Sequence, residues 1–138
     1  MQRDIGDLID RWSISKLKAE RIGAKESIEE HSAFAKELEM AKIEYSKKSL
    51  DLQPFCDIML DVNSFIWQLE AGLKGGRDGL QNPTYLWDDE NNEPLKQIGI
   101  MTILIRNFNH IRVKTKNAVN AVTGTGYKDI KKDHLCAN

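Results

Sequence analysis

The sequence predicts an all-α fold, an irregular four-helix bundle that opens with a long helical hairpin. Three observations predict it. Apolar residues recur at steps of three and four through four long segments, with few proline or glycine breaks inside them. The chain has 138 residues, enough for one domain that buries about two-thirds of its unfolded surface. Its 41% hydrophobic and 30% charged residues, with a formal charge of −1, fit a folded globule rather than a disordered chain.

The first helix is expected from about Asp4 to Ile22. Ile5, Leu8, Ile9, Trp12 and Ala19 share one face at ~100° per residue, while Ile14 lies opposite with Leu17 beside it. A second apolar surface means that this helix is sandwiched between neighbours or meets a partner chain. Gly23 then marks the turn of a tight helical hairpin. The second helix is expected from about Lys25 to Leu52. His31, Phe34, Leu38, Ala41, Tyr45 and Leu52 form a heptad-like seam that Lys48 interrupts, with Glu26, Glu30, Glu37 and Glu44 opposite.

Pro54 opens the third helix, where proline is tolerated in the first turn. One stripe of Phe55, Met59, Val62, Ile66, Leu69 and Leu73 and another of Cys56, Leu60, Trp67 and Ala71 leave little polar surface. That composition predicts a central helix, ended by Gly72, Gly75 and Gly76. Residues 77–93 show no periodicity and are expected as a long loop, pinned by Tyr85, Leu86 and Trp87. The last helix is expected from Pro94 to Thr123–Gly124, along a seam of Met101, Leu104, Phe108, Ile111, Ala118 and Val122. The expected organisation is one helical domain over residues 1–123 followed by a loose basic tail, 124–138.

Several function classes are excluded at this stage. A membrane span needs about 20 apolar residues, and the longest mostly apolar uncharged run, Gln97–Ile105, is too short, so no membrane helix is expected. Arg3 and Asp4 are not followed by an apolar signal region. Two cysteines, Cys56 and Cys136, make no disulfide framework, which points to a reducing, cytoplasmic setting. His31, His110 and His134 lack metal-ligand spacing. There is no nucleophile elbow and no phosphate-binding glycine loop, because Gly124 and Gly126 follow a helix rather than precede one. No cofactor is expected.

Charge is unevenly spread: residues 1–93 carry 12 basic and 19 acidic side chains, residues 94–138 carry 8 and 2. A nucleic-acid-binding end has this signature, but no stacking series or binding motif accompanies it. A basic last helix packed on acidic helices of the same chain is the simpler reading, and nucleic acid is not an expected partner.

The most specific local pattern lies on the last helix. Asn109, Arg112, Lys116 and Asn120 are spaced three, four and four apart and form one stripe bordering the apolar face. Two cations flanked by amides suit a phosphate or carboxylate, since the amides add directional donors to the charge. The competing reading is an interhelical network in which Arg112 and Lys116 pair with Asp7, Asp10, Asp57 or Asp61. On the first helix, Asp7, Asp10, Lys18 and Arg21 lie on one side with Ile14 among them, and Asp10 and Lys18 complete the candidate anion site. A third reading comes from Glu26-x-x-Glu29 with Asp57 and Asp61, which faintly resembles the paired acidic motifs of all-α, magnesium-dependent nucleoside triphosphate pyrophosphohydrolases. Magnesium requires those carboxylates to converge on one point.

Three blocks carry a broader resemblance. They are Gly6-Asp7-Leu8-Ile9-Asp10-Arg11 with Ile14 and Lys18; Val62-Asn63, Ile66-Trp67 and Glu70; and Asn109, Arg112, Lys116, Val119 and Asn120. In this order the chain resembles an uncharacterised family of small all-helical proteins with a G-[ED]-L-I-D-[KR]-x-[ST]-I opening and an ND-x-R-x-x-x-K-x-x-IN helix. It departs from that pattern at His110, in the middle loop and in the tail. The resemblance implies a helical architecture, and because the family has no assigned activity it transfers no mechanism. The expected function is a non-enzymatic intracellular binding or accessory domain, with a small anionic ligand and a homodimer as the expected partner classes.

Overall fold

A computed structural model describes residues 4–79 and 93–126, with side chains over 4–74 and 95–126. Four helices follow in order: α1 Ile5–Arg21, α2 Lys25–Ser46, α3 Gln53–Gly79 and α4 Glu93–Thr123. No strand occurs among the described residues, and no described helix is long and apolar enough to cross a membrane. Tyr85, Leu86, Trp87, His134 and Cys136 lie outside the described residues.

Asp4 starts α1 by accepting the Asp7 amide at 2.8 Å, satisfying one of the free donors at the helix start. Gly23, at φ 71°, returns its amide and that of Ile22 to the Lys18 carbonyl and turns the chain into α2. Helix α2 stops at Ser46, six residues short of the expected Leu52. Ser49 adopts a left-handed φ of 61°, and the Leu50 amide closes back on the Tyr45 carbonyl. Leu52 is still buried, but in the link, and Asp51 caps α3 through the Gln53 amide at 2.9 Å.

Helix α1, rather than α3, is central: it packs on α2, α3 and α4, while α3 packs on α1 and α4. Both of its apolar surfaces are therefore used within the chain. The core joins Ile5, Leu8 and Ile9 of α1 to Leu38, Ala41 and Tyr45 of α2, Cys56 and Met59 of α3 and Val119 of α4. Glycines do not end α3 at residues 72–76, since the helix runs on to Gly79. Gly72 instead lets α4 approach, because a β-carbon there would sit 3.1 Å from the Met101 sulfur.

The face that α4 buries differs from the expected seam. Ile105 and Val119 are buried and Met101 and Phe108 partly so, whereas Leu104, Ile111 and Val122 are 38%, 42% and 52% exposed. The helix is rotated so that its polar row turns inward. Residues 124–126 also belong to the domain rather than to the tail: Thr125 is buried against the start of α1. Residues 127–138 lie outside the described residues.

Candidate functional site

Asp10, in the middle of α1, is 2% exposed. The Arg112 guanidinium meets it two-pronged, Nε donating to Oδ1 at 2.9 Å and Nη2 to Oδ2 at 2.7 Å. Asn63 of α3 donates its amide to the same Oδ1 at 3.0 Å and to Ser13 Oγ at 2.6 Å, and the Ser13 hydroxyl donates to the Asp10 backbone carbonyl at 2.7 Å. Three helices are thus tied at one buried carboxylate. Burial alone would push the Asp10 carboxyl up, but the bonds from Arg112 and Asn63 and the charges of Arg112 and Lys116 outweigh it and hold it below the usual range. Its bond to Asp10 holds the Arg112 guanidinium above its ordinary value, against the opposing effect of burial.

One turn further along α4, Lys116 approaches Asp7 at 3.7 Å and Asp10 at 3.8 Å. These are attractions between charges, too long for hydrogen bonds. Asp7 is held by Arg11 at 2.7 Å. Another turn on, Asn120 accepts the Gly6 amide at 2.8 Å, and Thr125 accepts the Ile5 amide at 3.1 Å. The C-terminal end of α4 therefore caps the N-terminal amides of α1. Only glycine fits at position 6, where a β-carbon would lie 2.5 Å from the Lys116 carbonyl oxygen and 2.8 Å from Asn120 Oδ1.

Of the six candidate anion-site residues, Asp10, Arg112 and Lys116 come together, with Asn120 on the same helix face but bonded to backbone. Asn109 does not join them and lines a separate shallow hollow beside Arg106 and His110. Lys18 lines a polar cavity of about 270 Å³ with Asp7, Asp10, Arg112 and Lys116, and Glu30 and Phe34 of α2 close its far side. Its ammonium makes no ion pair or hydrogen bond with any other described residue. A second, mainly apolar cavity of about 480 Å³ adjoins it, walled by Leu17, Ile66 and Trp67. Ile14 and Arg112 line both cavities, so the two adjoin along α1 with the Arg112–Asp10 pair at their shared wall.

Arg112 and Lys116 pair with Asp7 and Asp10, not with the α3 acids. Asp57 holds the Gln53 amide at 2.8 Å and Asp61 is exposed. Glu26 and Glu29 are exposed on α2, and no three His, Cys, Asp or Glu among the described residues are placed to hold a metal. The convergence that magnesium needs is therefore missing among the described residues.

Ser13, Gly6 and Thr125 have no signal in the apolar periodicity. A glycine inside a helix, which costs about 1 kcal/mol against alanine, was the one available sign of a close approach at position 6. The three sequence blocks quoted for the resemblance supply most of the groove: Asp10, Ile14 and Lys18, then Asn63, Ile66, Trp67 and Glu70, then Arg112 and Lys116. No family model, curated protein or solved structure matches the chain.

Proposed function

We propose that the protein is a non-enzymatic binding domain that takes a small, phosphate-bearing anion in the groove between α1, α3 and α4. The observation that carries this is the Lys18 ammonium, unpartnered among the described residues in a cavity it shares with Arg112 and the loosely held Lys116. Lysine is a good point-charge partner for phosphate, and Arg112 adds the guanidinium edge that Asp10 does not use.

Several features favour binding over catalysis. Asp10 is held ionised and Arg112 protonated, so neither exchanges a proton near neutral pH. Ser15 lies 3.2 Å from His31, but it is 1% exposed and donates to the Trp12 carbonyl, out of reach of any substrate. Burial pushes the Cys56 thiol up to about 11, which removes it as a nucleophile. A free, buried thiol also agrees with a cytoplasmic location.

The test is thermal denaturation with a panel of phosphate compounds. We expect stabilisation in the wild type and its loss in Lys18→Ala, a variant that breaks no bond among the described residues. No shift across the panel would overturn the reading. Arg112→Ala is unsuitable as a probe because it uncouples the fold.

A second reading, self-association, rests on the outward face of α3 and α4. Ile58 and Phe65 are 46% and 48% exposed on α3, Leu104 and Ile111 are exposed on α4, and Phe65 stacks on Phe108 of α4 at 5.3 Å between centroids. Exposed apolar surface of this kind marks interfaces. On this reading a homodimer would form through α3 and α4 instead of α1, and a monomer mass by light scattering at high concentration would refute it.

A further inference from the structure

The groove has two ends of opposite character, and that constrains what it can hold. At one end stand Lys18 and Lys116, with the acids Asp7 and Asp10 already engaged by Arg11 and Arg112 and Glu30 exposed on α2. At the other stands Trp67, half-buried, over an apolar floor of Ile14, Leu17 and Ile66. The Arg21 guanidinium lies 5.5 Å from the Trp67 ring centroid and is anchored to Ser64 Oγ at 2.8 Å. This contact fixes the indole from one side.

We propose that the groove binds an aromatic phosphate monoester, its phosphate at Lys18 and Lys116 and its ring against Trp67. The inference rests on the anion reading above and adds the ring. The lengths agree. Ile14, shared by both cavities, is one helical turn from Lys18, and a turn rises about 5.4 Å. A phosphate at Lys18 thus stands about one turn of α1 from the first residue of the apolar floor. A flat ring gains most there, because offset stacking of aromatic pairs adds about 0.5–1.5 kcal/mol to simple burial. An inorganic anion would leave the larger cavity unfilled, and a long alkyl chain would overrun the polar rim set by Glu70 and Lys74.

The experiment compares three probes by calorimetric titration of the intact chain: phenyl phosphate, inorganic phosphate and phenol. We expect phenyl phosphate to bind at least about tenfold more tightly than inorganic phosphate, and phenol more weakly than either. Lys18→Ala should weaken both phosphates about tenfold. Trp67→Leu should bring phenyl phosphate down to the level of inorganic phosphate and leave inorganic phosphate unchanged. Should Trp67→Leu fail to fold, the indole N–H resonance of Trp67 in the wild type serves instead. That resonance should move with phenyl phosphate and stay in place with inorganic phosphate. Equal affinities for the two phosphates, or an indole signal indifferent to the ring, would overturn the aromatic inference and leave the anion reading standing. Binding of neither phosphate would overturn both.

Discussion

The inward face of α4 mixes apolar and polar groups, Ile105 and Val119 alongside a polar row, while several of its apolar residues face out. Arg112, Lys116 and Asn120 turn inward toward α1, while Leu104, Ile111 and Val122 turn outward. An isolated buried charge is costly, and a buried pair holds only when its geometry and remaining hydrogen bonds are satisfied. Here they are: both Asp10 oxygens are engaged by Arg112, and Asn63 adds a further donor. The lesson is that paired polar groups, together with the buried Ile105 and Val119, fit the register of α4, whereas Leu104, Ile111 and Val122 face elsewhere. A polar tie of this sort specifies one arrangement among the several that hydrophobic packing alone would tolerate.

The largest expected effect comes from breaking the inward face at its centre. Asp10→Ala leaves Arg112 without its carboxylate and removes one of the two acceptors of the Asn63 amide. We expect a loss of about 3 kcal/mol in urea denaturation, the lower end for a broken buried pair, because the Arg112 side chain is one-third open to solvent. If Asp10→Ala cost no more than a truncation on the outward face, the contrast between the two faces would be wrong. Next comes Gly6→Ala. The added methyl meets the Lys116 backbone as well as the Asn120 side chain, and the backbone cannot swing aside, so α1 and α4 must part. Overpacking of this kind costs about 1–3 kcal/mol, whereas Gly99→Ala, with open space around it, should be neutral or slightly stabilising. Equal denaturation midpoints for the two alanine variants would remove Gly6 as the point of closest approach.

Acid should separate the tie from the rest of the fold. The Asp10 carboxyl is lower in the folded chain than its ordinary value, so the unfolded chain takes up the proton first. Its contribution is then complete above the ordinary carboxylate range, about 3.9, and is lost as pH falls through the lower folded value. His31, whose folded value is lowered by burial and by Lys16, removes stability in a different window, as pH falls below about 6.5. Unfolding free energies at pH 8, 5 and 3 should therefore fall in two stages, and Asp10→Asn should flatten the second. A single-stage decline would show that Asp10 is not held by its partners.

Much of this was legible in the sequence, for identifiable reasons. Helix count, order and the ends of α1 and α4 follow from three-four spacing and from Gly23 and Gly124, which are local signals. The polar row on α4 was legible as a row, and its pairing with Asp7 and Asp10 as one of two stated outcomes. The rotation of α4 was not. Its apolar and polar stripes are adjacent, so periodicity alone does not say which one faces inward; that depends on whether α1 presents a carboxylate at matching height. The length of α2 was missed because Leu52 keeps the apolar spacing while Ser49 breaks the backbone. The placing of the Trp67 cavity beside the Lys18 cavity depends on the packing of α1 against α3, which neither helix encodes alone.

The smallest expected effect lies on the outward face, and it sharpens the comparison most. Ile111→Ser removes an apolar side chain that is already 42% exposed and leaves every polar tie to α1 intact. In a dilute monomer the change should stay within about 0.5 kcal/mol, as for surface positions generally. If α3 and α4 cover each other's exposed residues in a second copy, the same substitution should lower the dimer fraction seen by light scattering while the monomer's denaturation midpoint holds. A large loss of monomer stability would instead mean that Ile111 belongs to the core, and the face now assigned to a partner would have to be returned to the fold.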